Sequence, residues 1–248
     1  MNAFDVLRFN GGQVQIKLQH FKVLGSDAKS FLHGQSTADV EHLPVGQFHI
    51  QALVDRTGNI EAHFYLLNTS TGLEILSPIA CGEVISSRFE KFVVSEEAEL
   101  KNLGEQNWWV ALGPQVPHQG FTGLLGGEAA LFSMTKCEAV EVVSPKLFNE
   151  FLMWQGEPTL DQAYHIGELI NQTRLFETAV DMAKGCFPGQ ETVAKVHHNR
   201  GAAWAPVLLK ASPIDRLVST EVILDGKKVA KVFFQENDGL ERWCTAEV

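Results

Sequence analysis

A thiol, an ammonium and two glycines stand together in Lys184-Gly185-Cys186-Phe187-Pro188-Gly189-Gln190-Glu191. A cysteine attacks or ligates as its thiolate, which a nearby cation or a helix N-terminus favours. Gly185 and Gly189 permit backbone angles that other residues resist, and Pro188 suits the first turn of a helix running through Thr192 to His198. The octet therefore predicts a turn that leads into a helix, with Cys186 just ahead of the helix N-terminus and Lys184 as its electrostatic support. Gln190 and Glu191 fall in the first helical turn, where they either cap backbone amides or face the same pocket as the thiol. Cys186 is then a nucleophile, a redox group or a cluster ligand; the same pattern also describes a tight turn around a small buried cysteine.

Other chemistry finds less support in the sequence. His197 and His198 are adjacent and cannot both face one metal from a helix, and the step from Cys186 to His197 is not a metal-ligand spacing, so surface or packing roles and no bound metal are expected. Cys81, Cys137 and Cys244 complete a set of 4 cysteines without a CxxC pair, which suggests free thiols rather than disulfides or zinc. The glycines at 120, 123, 126 and 127 lie in a stretch from Pro114 to Gly127 that contains no Lys or Arg, so it reads as a connecting loop rather than a phosphate cradle. Neither G-x-S-x-G nor G-x-G-x-x-G occurs, which argues against a serine hydrolase or a dehydrogenase. A formal net charge of -10 without a basic cluster opposes direct nucleic-acid binding. No segment reaches the roughly 20 apolar residues that cross a bilayer, and Asp5 and Arg8 break any signal-peptide order, so a cytoplasmic protein without a membrane partner is expected.

The elements that must position the octet are mixed. Gln13 to Leu18 alternates, and Ile60, Ala62, Phe64 and Leu66 share one face of a strand. Asp27 is placed to cap a short helix carrying Ala28, Phe31 and Leu32 that stops at Gly34. Val84, Ile85, Arg88, Phe89 and Phe92 have helical spacing, Trp108 to Leu112 reads as a buried strand, and strand character resumes from Ala130 to Val143. Helices are expected at Pro145 to Gln155, with Leu147, Phe151 and Trp154 as its core stripe, and at Thr159 to Gln172. Beyond Gly201, Val222-Ile223-Leu224 and Val229 to Phe234 flank Asp225-Gly226, a two-residue hairpin signal. Without a βαβ rhythm the fold class is α+β, with a main domain over 1–201 and a small antiparallel, barrel-like β unit over 202–248.

The octet resembles the signature of the YgfZ family, K-G-C-[FY]-x-G-Q-E, and Val193-Ala194-Lys195 through Arg200-Gly201 resembles its continuation. Gly25-Ser26-Asp27-Ala28, Phe31-Leu32-His33-Gly34-Gln35, Thr37 and Asp39-Val40 look like the family's N-terminal block, and Leu53-Val54-Asp55-Arg56-Thr57-Gly58-Asn59-Ile60 is similar to the strand-turn-strand that follows it. The likeness spans most of 22–201. It implies a fold related to the glycine-cleavage T-protein, an aminomethyltransferase, and a folate-binding accessory role in the assembly or repair of iron–sulfur enzymes, some of which modify tRNA. Tetrahydrofolate or a derivative is the implied ligand, iron–sulfur client or assembly proteins are the implied partners, and Cys186 is the functional thiol. Gln190, Glu191 and Arg200 are the candidate folate contacts; Gly185, Phe187 and Gly189 shape the turn. Lys195 stands where the family commonly has arginine, and Asn171 where proline is common.

Aminomethyl transfer is the close alternative. T-proteins carry adjacent aspartates just after the segment equivalent to Gly58-Asn59-Ile60, and Ala62 and His63 stand there in this chain. Glu61 is one residue away and projects from the opposite face of the strand. Folate binding without transfer is the expectation, with any cluster contact needing partner ligands or glutathione, because one thiol cannot hold a cluster alone. A non-catalytic interaction module is the third reading.

Overall fold

Strand β1 (Gly12–Leu24) forms the axis of the structure. A computed structural model describes residues 7, 9–114, 120–125, 127–154, 164–199, 204–210, 221–224, 227–235 and 241–247. β1 pairs antiparallel with β4 (Gly72–Ser77) through its C-terminal half and with β5 (Glu99–Leu112) along its whole length. β2 (Phe48–Val54), β3 (Ile60–Thr69), β6 (Phe121–Leu125) and β7 (Glu128–Ser133) complete a seven-stranded sheet in the order β2-β3-β4-β1-β5-β7-β6.

The two ends of this sheet meet. Gln47 forms a parallel bridge with Thr122, whose N–H donates to the Gly46 carbonyl at 3.0 Å. A Cβ on Gly123 would lie 2.7 Å from the Phe48 carbonyl oxygen, so glycine is what lets the strands approach. The sheet curls into a half-barrel and covers its own edges.

Each face of the curl buries a cluster. Helices α1 (Ala28–Gln35) and α2 (Gly82–Phe92) cover the outer face, where Phe21, Val23, Leu32, Phe64, Ile75 and Phe89 pack. The Phe31 and Phe89 rings sit 4.8 Å apart there. On the inner face Leu18, Val110, Phe132 and Leu67 join Phe148, Phe151 and Leu152 of α3 (Pro145–Trp154). Period two divides β3 accordingly: Ala62, Phe64 and Leu66 go outward to the helices, and Leu67 goes inward. Ile60 joins the inner cluster, below a register shift between Leu53 and Val54 of the β2–β3 ladder.

Several expectations change. Helix α1 runs through Gly34 to Gln35 and ends at Ser36 in extended backbone, without a left-handed glycine. Asp27 gives the helix no side-chain cap; its carboxylate accepts the Glu97 N–H at 2.8 Å instead. The stretch from Pro114 to Gly127 is not only a loop, because β6 lies inside it; its glycines serve strand closure and turns, which hides the strand signal. β7 stops at Ser133, and the 137–140 turn is tied down by the Gln13 side chain, which donates to the Cys137 and Val140 carbonyls and accepts the Cys137 N–H. The described part of Thr159 to Gln172 is not an α-helix. The Glu168 carbonyl accepts the Ile60 N–H, Gly167 N–H donates to the Ile60 carbonyl, both at 2.8 Å, and Asn59 bridges Leu169, so the start of β3 holds this segment as a turn that leads into a 3-10 helix over Ile170–Gln172. Trp154's side chain and the Asp225-Gly226 pair lie outside the described residues.

β8 (Trp204–Lys210), β9 (Glu221–Leu224), β10 (Lys227–Gln235) and β11 (Glu241–Glu247) form a separate four-stranded antiparallel sheet in the order β8-β11-β10-β9. Leu224 stands opposite Lys227, the register of a two-residue hairpin. No helix among the described residues is long and apolar enough to cross a membrane.

Candidate functional site

The octet folds as a turn followed by a helix, but with a different division of labour. Gln190 N–H donates to the Phe187 carbonyl at 3.2 Å and Gly189 has φ 80°, so Phe187-Pro188-Gly189-Gln190 is a type II turn with proline second and glycine third. Pro188 therefore belongs to the turn and not to the helix, which is α5 (Gln190–Asn199), preceded by the short α4 (Leu175–Ala179). A Cβ on Gly189 would stand 2.2 Å from the Asp55 carbonyl oxygen and 3.1 Å from the Gly58 nitrogen. The turn is thus wedged against 55–59, where Asp55 accepts from Asn59 N–H (2.9 Å), Thr57 N–H (2.8 Å) and the Thr57 hydroxyl (2.7 Å). Burial alone would raise the Asp55 carboxyl, but these donors hold it below the usual carboxylate range. Phe187 and Val193 bury their side chains in the inner core and pin the segment.

The N-terminal block meets the octet from the other side. Lys184 Nζ donates to the His33 and Ser36 carbonyls, the second at 2.5 Å, at the C-terminal end of α1 where the helix dipole attracts a cation. It also lies 5.3 Å from the Phe187 ring centroid. Burial pushes the amine down to about 8, against the opposing pull of Asp39, Asp181, Glu41 and Cys186. Lys184 and Cys186 are thus within electrostatic reach of each other, while the amine's hydrogen bonds go to α1. Asp181 N–H donates to Thr37 O at 3.0 Å, and the Thr37 hydroxyl donates to Ala179 O at 2.5 Å. Three stretches of sequence far apart in the chain, 33–40, 53–60 and 184–191, converge at one place.

Cys186 is exposed at that junction. Gly185 beside it has open space, with His33 Nε2 3.6 Å from where its Cβ would be. Glu191 is exposed and pairs with Lys195 at 2.5 Å along the solvent side of α5, which lowers its carboxyl, so it does not turn toward the thiol. Arg200 lies outside the described residues. His197 and His198 are exposed, and His197 packs on Phe176 at 4.9 Å. Among the described residues no group of metal-ligating side chains is large enough to hold an ion. A hollow of ≈ 570 Å³ is lined by Asp39, His42, Phe176, Asp181, Met182 and His197 among others, and no octet residue is in its wall.

A second cavity lies elsewhere. It measures ≈ 300 Å³ on the inner face of the sheet beneath α3, and Leu18, His63, Tyr65, Val110, Phe132 and Phe148 are among its walls. No octet residue lines it, so thiol and cavity are separate features among the described residues. His63 is 3% exposed and Nδ1 pairs with the Tyr164 hydroxyl; burial pushes its pKa down to about 4, leaving a neutral ring. No carboxylate is among the described residues of the wall. Glu61 is engaged by Arg88 of α2, whose guanidinium also donates to the Val54 carbonyl at 3.1 Å. Trp108, 1% exposed and on the same face of β5 as Val110, has an indole N–H without an acceptor among the described residues. In the sequence His63 stands out only for the acid it replaces. The signal for more was a histidine and a tyrosine two apart on one face of an otherwise apolar strand.

No family model matches the chain. The tRNA-modifying protein YgfZ of Vibrio atlanticus is 24% identical over 203 residues, covering 71% of this chain and 62% of its own length, and that of Colwellia psychrerythraea is 25% identical over 219 residues, covering 74% and 67%. The chain is similar to these YgfZ proteins over about seven tenths of its length. A chloroplastic Arabidopsis thaliana protein, At1g60990, named as a transferase, is 24% identical over 274 residues, covering 90% of this chain and 62% of its own. The chain thus spans about three fifths of the length of the first of these relatives. The glycine cleavage system aminomethyltransferase T of Bartonella henselae superposes with a TM-score of 0.78 at 15% identity, covering 99% of this chain and 80% of that one, so the two share a fold.

Proposed function

We propose that this chain is a folate-binding accessory protein that supports the assembly or repair of iron–sulfur clusters, and through its client enzymes tRNA modification, with Cys186 as the thiol it offers to a partner. Residues 1–201 act as the folate-binding domain and 202–248 as a small β unit. Two relatives carry tRNA modification in their names, and the T-protein fold supports the folate half of the reading.

The observation that carries it is the inner cavity. Its apolar walls suit a flat ring, and pockets for small ligands run from about 300 to 1,000 Å³, so ≈ 300 Å³ accommodates a bicyclic head and not a whole folate. The unpartnered Trp108 N–H supports a polar ring edge nearby. His63, Tyr65 and Phe132 would hold such a head; a reduced folate would bring to it the capacity to carry a one-carbon unit. Aminomethyl transfer is disfavoured, because the described wall offers no carboxylate to a cationic amine and Glu61 is committed to Arg88. The exposure of Cys186 supports contact with a partner's ligands or glutathione. Titrating 5-formyltetrahydrofolate into the full chain is expected to give a saturable change in tryptophan fluorescence; none at high micromolar ligand rejects the folate reading.

A further inference from the structure

We propose that His63, held by Tyr164 with its proton on Nε2, is the hydrogen-bond donor with which the inner cavity reads its ligand, so that the cavity takes a flat uncharged ring whose edge presents an acceptor, a ring carbonyl above all, and refuses an amine at that edge. This deepens the folate reading of the same cavity and rests on it.

The tautomer follows from satisfying two buried groups at once. Tyr164 is fully buried, and the partner of its hydroxyl among the described residues is His63 Nδ1. If Nδ1 were the donor, the phenolic hydrogen would be left buried without an acceptor. Tyr164 therefore donates, Nδ1 accepts, and the single proton of a neutral imidazole sits on Nε2. The ring is neutral because burial opposes its charging. Its plane is fixed by edge contacts with Tyr65, at 6.0 Å between centroids, and with Tyr164, at 5.5 Å. Nε2 has no hydrogen-bond partner among the described residues, and His63 lines the cavity.

The remaining charge around the cavity favours the same ligand. Lys17 is paired with Glu105, and the carboxylate nearest in sequence, Glu61, is held by Arg88. Trp108 adds a second buried N–H without an acceptor, one residue pair along β5 from the wall residue Val110. Asn149 and Tyr65, which can also accept, line other parts of the wall; at the His63 edge a donor rejects a ligand group that also donates, since both then lose their water without gaining a partner.

Folic acid and aminopterin test this, since at the pteridine edge they differ by a carbonyl in one and an amine in the other. The full chain is expected to bind folic acid at least about tenfold more tightly. His63→Leu should bring the two within about twofold, while His63→Gln, which keeps an amide donor, should retain the preference. Independently of any ligand, the imidazole nitrogen spectrum at neutral pH should show a neutral ring protonated on Nε2, turning to a tautomer mixture in Tyr164→Phe. A proton on Nδ1 or a charged ring overturns the assignment. Folic acid binding with a preference unmoved in His63→Leu overturns it and leaves the folate reading standing. Absence of binding by both folic acid and 5-formyltetrahydrofolate overturns both.

Discussion

Single residues in the octet carry unequal weight, and the two glycines show it best. Gly189 needs a positive φ and also a missing Cβ, because the Asp55 carbonyl stands 2.2 Å from where that atom would be. Gly189→Ala is therefore expected to cost about 2–4 kcal/mol by urea denaturation. Gly185 has neither constraint, and Gly185→Ala should fall within about 1 kcal/mol of the parent; equal costs at the two positions would refute this account of the turn. His63 has a different signature. Its folded pKa of about 4 lies below the ordinary 6.5, so between these values the unfolded chain binds more protons and stability falls as pH drops. The contribution reaches as much as about 3 kcal/mol, fully present above pH 6.5 and lost toward pH 4. Comparing urea midpoints over that range, His63→Leu should flatten the acid limb relative to the parent.

Elements show where local signals are sufficient and where they mislead. Helical spacing located α2 and α3, and period two located β3 and its outward face, because each pattern is generated by burial against one neighbour. Signals failed where a distant partner satisfied the backbone. α1 needs no left-handed glycine because Lys184, 151 positions from His33, reaches its terminal carbonyls, and 164–172 forms a turn and a 3-10 helix because its backbone bonds go to Gly58 and Ile60 at the start of β3. β6 was concealed by the glycines that closure demands. Gly123→Val places side-chain atoms against the Phe48 backbone and ring and is expected to part β6 from β2. Hydrogen exchange should show loss of protection at Thr122 N–H, with a cost of about 2–3 kcal/mol; unchanged protection would mean that the strands meet for another reason.

At the scale of the whole molecule, the two candidate features are kept apart. The thiol sits exposed where 33–40, 53–60 and 184–191 converge, and the ring-sized cavity lies inside the curled sheet. On the proposed function, a ligand in the interior and a thiol outside suit an accessory role better than a turnover centre, which brings both to one point. Cys186, beside the Lys184 charge, is expected to be alkylated by iodoacetamide faster at pH 7 than a cysteine in an unstructured peptide. A pH profile that coincides with the peptide's would reject Cys186 as the functional thiol. Saturating folate should leave that rate within about twofold, because no octet residue is part of the cavity wall.

The sequence by itself determined the local devices: the Pro-Gly turn ahead of α5, the helical stripes, the alternating strands and the octet that resembles the YgfZ signature. These are set by residues a few positions apart, whose backbone preferences and periodic burial act wherever the chain goes. Only the tertiary structure decided that Lys184 serves a helix end, that Glu61 is spent on Arg88, and that the sheet closes at Gly123. It also decided what His63 is, because the hydroxyl that fixes its tautomer belongs to Tyr164, 101 positions away, and the burial that keeps it neutral comes from strands and a helix gathered from the whole chain.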